Sequence, residues 1–297
     1  MFRNATTPRA SRLSRMRASL RSQSEIAAIA ATGRVVAEAI SAGAEAAVAG
    51  ACTAEVEQAV AEVFAIRGAE PVLREGAAVA ASRRFPAVCC TSVNEVALHG
   101  VPGGRVLRDG DLLTIDAACR LDGWCADAAR TIAIGEIDGT RKRLLATADA
   151  CMACALEAIR PGRRWSEVAA LMQDVVESAG FSIVTGWTGH GIGRTLHEWP
   201  PVPATLTEAL LAGEDFTLLP GMVLAIEPVV VLQPPSPRSG ECARGVAVRT
   251  GVDGWSVETL SGSPACHLEH TVAVLRSGAS ALTAAETPVR QLQGSPA

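Results

Sequence analysis

The 297-residue chain reads as an internally duplicated α+β domain, on three observations. Helical patterns come in two pairs, each pair is followed by strand-like apolar runs, and short residue groups of the first pair recur in the second. Glu38-Ala39-Ile40 returns as Glu157-Ala158-Ile159, and Thr53-Ala54-Glu55-Val56 as Trp165-Ser166-Glu167-Val168.

Residues 1–21 carry six arginines and no acid, and they lack the apolar stretch of a signal peptide. A basic, disordered tail is expected there, with contact to ribosome or RNA as the sharper alternative and Met16 as a second candidate start. The domain is expected to span 22–276. Ser22 and Glu25 form an S-x-x-E capping box ahead of Ile26, Ile29, Val36 and Ile40, which fall at roughly helical spacing. A second helix opens near Thr53 and stops at Gly68. A strand-like run from Arg105 to Cys119 turns at Leu121-Asp122-Gly123 and returns to Gly135 as a hairpin. Helices then run from about Thr140 to Pro161-Gly162 and from Ser166 to Gly180. The last strands are Met222–Leu232 and His267–Leu275, separated by a loop rich in proline and serine. Residues 277–297 are expected to be a loose tail.

Apolar residues make up 48% and charged residues 20%, net charge is -4, and tyrosine is absent. This is the balance of a globular protein whose core is filled by aliphatics, and it gives no reason to expect nucleic acid or membrane as the main partner. Met222–Leu232, the most apolar run, is too short to span a bilayer and is broken by Glu227. Nine scattered cysteines suit free thiols in a reducing cytoplasm better than a disulfide framework. Cys151-x-x-Cys154, inside a helical pattern, is read as small buried residues rather than a redox or zinc pair.

Chemistry is concentrated in a few polar residues set in apolar strands. In Leu112-Leu113-Thr114-Ile115-Asp116, alternation puts Asp116 on the face opposite Leu113 and Ile115. A loop of residues 120–123 would set Asp116 directly opposite Asp127, whereas a tighter Asp122-Gly123 turn would make them diagonal neighbours. Either way two like charges repel unless a cation lies between them, and a pair of metal ions suits that spacing. Glu227 and Glu269 each interrupt an apolar strand, a costly place for a carboxylate without a partner. His190 stands in Gly189-His190-Gly191-Ile192-Gly193, where glycines allow close approach of the backbone. One imidazole among several carboxylates suits Mn, Fe, Co or Zn.

In order along the chain, five segments resemble the motifs of methionine aminopeptidases. These are Phe85–Pro102 with its Asn94-to-His99 stretch, Thr114-Ile115-Asp116, Gly189–Glu198, Ala225-Ile226-Glu227-Pro228 and Leu268-Glu269-His270-Thr271. The short interval from His190 to Glu227 resembles the type I branch. The resemblance implies the duplicated "pita-bread" fold, a curved antiparallel sheet flanked by helices, acting as a cytoplasmic monomer. It implies two divalent ions, with Asp116 on one, His190 and Glu227 on the other, and Asp127 and Glu269 bridging both. An activated water would be the nucleophile and Glu227 the proton shuttle. His99 and His197 would contact the substrate amide, and Phe85, Cys90, Leu196 and Trp255 would form the pocket for the N-terminal methionine of nascent chains. Some positions depart from that family's pattern. They are Leu196 at a common aromatic position, Ser82 for a tyrosine, Ala128-Ala129 after Asp127, His267 for a polar amide, and an insertion at 234–243. The competing readings are an Xaa-Pro aminopeptidase or prolidase, and a metal-free ribosome- or RNA-binding relative.

Overall fold

A computed structural model describes residues 18–75, 84–232 and 246–284. Ser82, the 234–243 insertion and most of both expected tails lie outside them. Four helices are α1 (Gln23–Ala46), α2 (Thr53–Arg67), α3 (Gly139–Ala158) and α4 (Trp165–Ser178). The N-terminal strands are β1 (Glu70–Pro71), β2 (Cys89–Val93), β3 (Val96–Leu98), β4 (Leu112–Leu121) and β5 (Trp124–Ala133). After α4 come β6 (Ser182–Ile183), β7 (Gly189–Gly191), β8 (Glu198–Val202), β9 (Val223–Ile226) and β10 (Val229–Val231). The last are β11 (Val248–Thr250), β12 (Val257–Thr259), β13 (Ala265–His267), β14 (Glu269–Leu275) and β15 (Gly278–Ala281).

The expected caps are present. Ser22 and Glu25 exchange hydrogen bonds at the start of α1, and Gly68 ends α2 at φ 65, a left-handed position that glycine adopts without strain. The echoed segments open α2 and α4, and the echo has a physical basis. Glu55 and Glu167 each reach back to the backbone N–H just ahead of their helix, Cys52 at 2.7 Å and Arg164 at 3.4 Å.

The main sheet runs β1-β4-β5-β14-β9-β7-β8, with β15 beside β14 and β2 beside β4, and every pairing is antiparallel. The helix pairs cover it in two halves. Val36, Ala39, Val56, Val60 and Phe64 of α1 and α2 pack on Leu113, Ile115 and Ala117 of β4. Leu144, Cys151, Trp165, Val168 and Met172 of α3 and α4 pack on Leu224, Ile226, Val272 and Val274. Cys151 is thus a buried core thiol. Among the described residues α1 is the one helix long and apolar enough in composition to cross a membrane, and its Ile29, Val36 and Ala39 are fully buried inside the protein.

Several expected boundaries are corrected. Met222–Leu232 is two strands, because Pro228 has no N–H to continue a ladder; β9 belongs to the main sheet and β10 to a small sheet with β13 and β6. His267–Leu275 likewise divides at Leu268, whose N–H bonds the Pro228 carbonyl at 3.2 Å. Glu227 and Glu269 therefore stand side by side where two strands leave one sheet for another. At the amino end Arg21 is packed: its N–H bonds the Gly221 carbonyl at 2.7 Å and its guanidinium pairs with Glu198. At the other end β15 pairs with β14 and Leu282 and Thr283 are buried, so the body continues beyond residue 276.

Candidate metal centre and its cavity

The β4–β5 hairpin sets the first two carboxylates. Leu121 pairs with Trp124 across Asp122-Gly123, both at positive φ, 50 and 77, as a two-residue turn requires. That register pairs Asp116 with Ala129 and Ala118 with Asp127, so the aspartates are diagonal neighbours on one face. Thr271 pins the hairpin to β14: its hydroxyl donates to the Asp127 carbonyl (2.8 Å) and accepts from the Asp127 N–H (2.9 Å).

β7 carries His190 between two glycines. Its Nδ1 lies 3.0 Å from the Gly191 carbonyl and donates to it, which leaves the Nε2 lone pair facing Asp127 Oδ2 at 3.9 Å. A Cβ on Gly189 would run into the carbonyl oxygen of Ala225 on β9. Gly189→Ala is expected to push β7 off β9 and cost about 1–3 kcal/mol of stability, measured by urea denaturation. An unchanged midpoint would show that the strands can part there without cost.

Two groups of donor atoms result, each mutually within 4.8 Å: Asp127, His190 and Glu269 in one, Glu227, His267 and Glu269 in the other. Glu269 belongs to both. Asp116 stands outside both groups and accepts from the Cys90 thiol, its neighbour across β2–β4. The cluster is buried, and burial dominates its electrostatics. Desolvation lifts Asp116 to about 6, and desolvation with the charge of Asp116 lifts Glu227 to about 8. Asp127 and Glu269 are pushed well above the usual range by burial and by each other's neighbouring carboxylates. Burial drives His190 down to about 3, so its imidazole is a neutral donor. Asp127 Oδ1, Glu269 Oε1 and His267 Nε2 are buried with no hydrogen-bond partner. Crowded carboxylates, neutral imidazoles and orphaned lone pairs are what divalent cations satisfy, and the donor set fits them.

The cluster forms one wall of a cavity of about 270 Å³ that also takes in His99, His197, Phe85, Cys90, Leu196 and Trp255. Phe85 and Trp255 meet edge to face at 5.3 Å, with Cys90 packed in the same apolar cluster. His197, at the exposed rim, has its ring 4.3 Å from that of His190. His99 sits at φ 55, a strained position for a non-glycine, just after the β2–β3 hairpin that Asn94 ties to Asp111 (2.7 Å) and Leu112 (2.9 Å). All the residues singled out from the sequence are thus brought to one site. The sequence reading missed Trp187, whose ring meets His99 edge to face at 5.0 Å, and Leu73 and Leu98, which also line the cavity. An isolated tryptophan before Thr188-Gly189-His190 was the one available signal. His270 faces away and bonds the Thr283 hydroxyl at 2.9 Å.

The loop bearing Leu196 and His197 is held from outside. Glu198 accepts from the Arg194 N–H (2.8 Å) and Thr195 N–H (3.3 Å), and Arg21 pairs with the same carboxylate. Arg194 also stacks on Trp124, 3.7 Å from its ring centre.

Residues 27–276 match the model of metallopeptidase family M24. The chain is 39% identical over 202 residues to "Methionine aminopeptidase" of Treponema pallidum, which covers 68% of this chain and 74% of that protein. The crystal structure of methionine aminopeptidase from Thermotoga maritima superimposes with a TM-score of 0.78 at 32% identity, covering 90% of this chain and 99% of the other. A prolidase from Pyrococcus furiosus shares the fold at a TM-score of 0.68 and 22% identity, and this chain spans 66% of its length. A curved antiparallel sheet with a helix pair on each half, the buried acid–imidazole cluster within it, and these matches agree: the chain belongs to metallopeptidase family M24, among its methionine aminopeptidases.

Proposed function

We propose that this chain is a dinuclear metallo-aminopeptidase that removes the initiator methionine from new polypeptides in the cytoplasm. The observation that carries the reading is the pair of donor groups sharing Glu269 on the wall of a largely apolar cavity. Asp116, Asp127, His190, Glu227 and Glu269 would hold two divalent ions, of Co, Mn, Fe or Zn. Such ions supply Lewis acidity, offsetting the crowded negative charge and polarising a carbonyl at neutral pH. The chain's own groups do the rest. Phe85, Cys90, Leu196 and Trp255 hold an unbranched apolar side chain and exclude water from it, and the thiol and rings suit a thioether. His99 and His197, which both line the cavity, hydrogen-bond the scissile amide and the charge that develops on its oxygen. Glu227, whose side chain is 15% exposed, takes the proton of the attacking water at its carboxylate and returns it to the leaving amine. The arginines before Ala18 are offered to the ribosome, and the enzyme acts as a monomer.

The test is a peptide panel run with Co, Mn, Fe and Zn. Met-Ala-Ser is expected to lose methionine, and Xaa-Pro peptides to remain intact. Cleavage confined to the proline peptides would move the chain to the prolidase activity. A preparation that takes up no metal and cuts nothing would leave the ribosome- or RNA-binding reading.

A further inference from the structure

We infer that His267 is a sixth protein ligand of the metal centre, giving the donor group of Glu227 and Glu269 an imidazole of its own. This rests on the metallopeptidase reading and goes beyond its five ligands. His267 closes β13 at the point where the chain passes into β14, two residues before Glu269. Its backbone is fixed: the N–H donates to the Thr131 hydroxyl at 2.9 Å, and that hydroxyl donates to its carbonyl at 2.8 Å. The residue is 2% exposed, and its Nε2 is buried with no hydrogen-bond partner. That nitrogen lies 3.7 Å from Glu227 Oε2 and 3.8 Å from Glu269 Oε2.

These separations decide between two roles. A hydrogen bond from the ring to either carboxylate needs roughly 2.7–3.2 Å, so the ring is not serving as their donor. Nitrogen and oxygen donors about 2.0–2.2 Å from one ion lie roughly 3.0 Å apart at a right angle, roughly 3.4 Å at the tetrahedral angle and up to about 4.2 Å when trans. Both distances at His267 fall in that range, and His190 stands at the similar distance of 3.9 Å from Asp127. An aimed, unpaired imidazole beside two carboxylates has the chemistry of a ligand. A second imidazole would also shift the site's preference away from Mn towards Zn, Co and Fe, for which nitrogen is the better donor.

Co(II) and Mn(II) alone are the probes, titrated by equilibrium dialysis into wild type and His267→Gln, which restores a side chain of similar length. The variant is expected to bind one Co(II) weaker by about 10–100-fold, with a smaller loss for Mn(II). NMR of the Co(II)-loaded wild type with ¹⁵N-labelled histidine provides a reading that needs no variant. Hyperfine-shifted, metal-bound ring nitrogens are expected from two histidines, His190 and His267. Only one such set, or a variant whose Co(II) affinity stays within about threefold of wild type, overturns the inference. A wild type that takes up no Co(II) removes the metallopeptidase reading along with it, which separates the two failures.

Discussion

Glutamine in place of Glu269 is expected to lower kcat/KM for Met-Ala-Ser by at least about 10³-fold and to abolish tight binding of both ions. The reason is position rather than proximity alone. Glu269 is the one carboxylate common to the two donor groups, it is 2% exposed, and one of its oxygens has no protein partner. The substitution keeps the volume and removes a carboxyl that burial and the neighbouring Asp127, Glu227 and Asp116 make costly to ionise. The metal-free variant should therefore be more stable than metal-free wild type while gaining nothing from added metal. Dialysis, denaturation and turnover on one preparation test all three. Retention of two tightly bound ions by Glu269→Gln would show that the groups are not joined through this residue.

Metal-free protein is expected to lose stability between pH 6.5 and 8, Glu227 alone contributing about 1.6 kcal/mol, with the sign opposite to that of an ordinary salt-bridged carboxylate. Glu227 is raised from 4.5 to about 8, so the folded state keeps its proton across this window while the unfolded chain has released it. Stability from that proton is complete below the unfolded value and is lost as pH rises through the folded one. Asp127 and Glu269, raised for the same reason, act in the same direction. The buried histidines oppose them in part. His99, His190 and His267 are depressed to about 4, 3 and 3, so they are neutral in the fold throughout, while unfolded imidazoles are half-protonated at pH 6.5 and return about 0.4 kcal/mol each as they lose that proton by pH 8. Divalent metal binds the deprotonated set and should flatten or reverse the slope, adding about 2.7 kcal/mol at a hundred times its Kd. Scanning calorimetry at the two pH values, in chelator and in excess Co(II), reads both effects. A pH-independent Tm in chelator would mean that the cluster is not buried as described.

What was legible in the sequence was whatever a local rule governs. Ser22 and Glu25 announced a helix start, Gly68 a stop, and Asp122-Gly123 a tight turn, and each is a contact between near neighbours. Glu227 and Glu269 stood out because a carboxylate in an apolar strand needs a reason. The pairing of Asp116 with Asp127 was visible, but its diagonal register waited on the turn. What the sequence hid depends on distant chain. The split of Met222–Leu232 between two sheets follows from where β13 and β14 lie, not from residue type. Gly278–Ala281 has the composition of a loop, yet its backbone is captured by the edge of β14. Arg21 looked like one more tail arginine until Glu198, 177 residues on, proved to be its partner. Trp187 gave no periodic signal because it acts from a connection rather than a strand.

The division of the candidate ligands between the halves has a consequence for how the protein comes into being. Asp116 and Asp127 belong to the hairpin covered by α1 and α2, whereas His190, Glu227, His267 and Glu269 come from strands of the second half. The first half alone carries no complete donor group, and the group of Asp127, His190 and Glu269 is closed only across the β5–β14 seam. An ion held by that group acts as a rivet between the two halves, and its affinity is in part the free energy of their association. A ribosome-bound chain that has emerged only as far as the hairpin has no such centre. Hydrolytic competence therefore arises late, after β13 and β14 have docked.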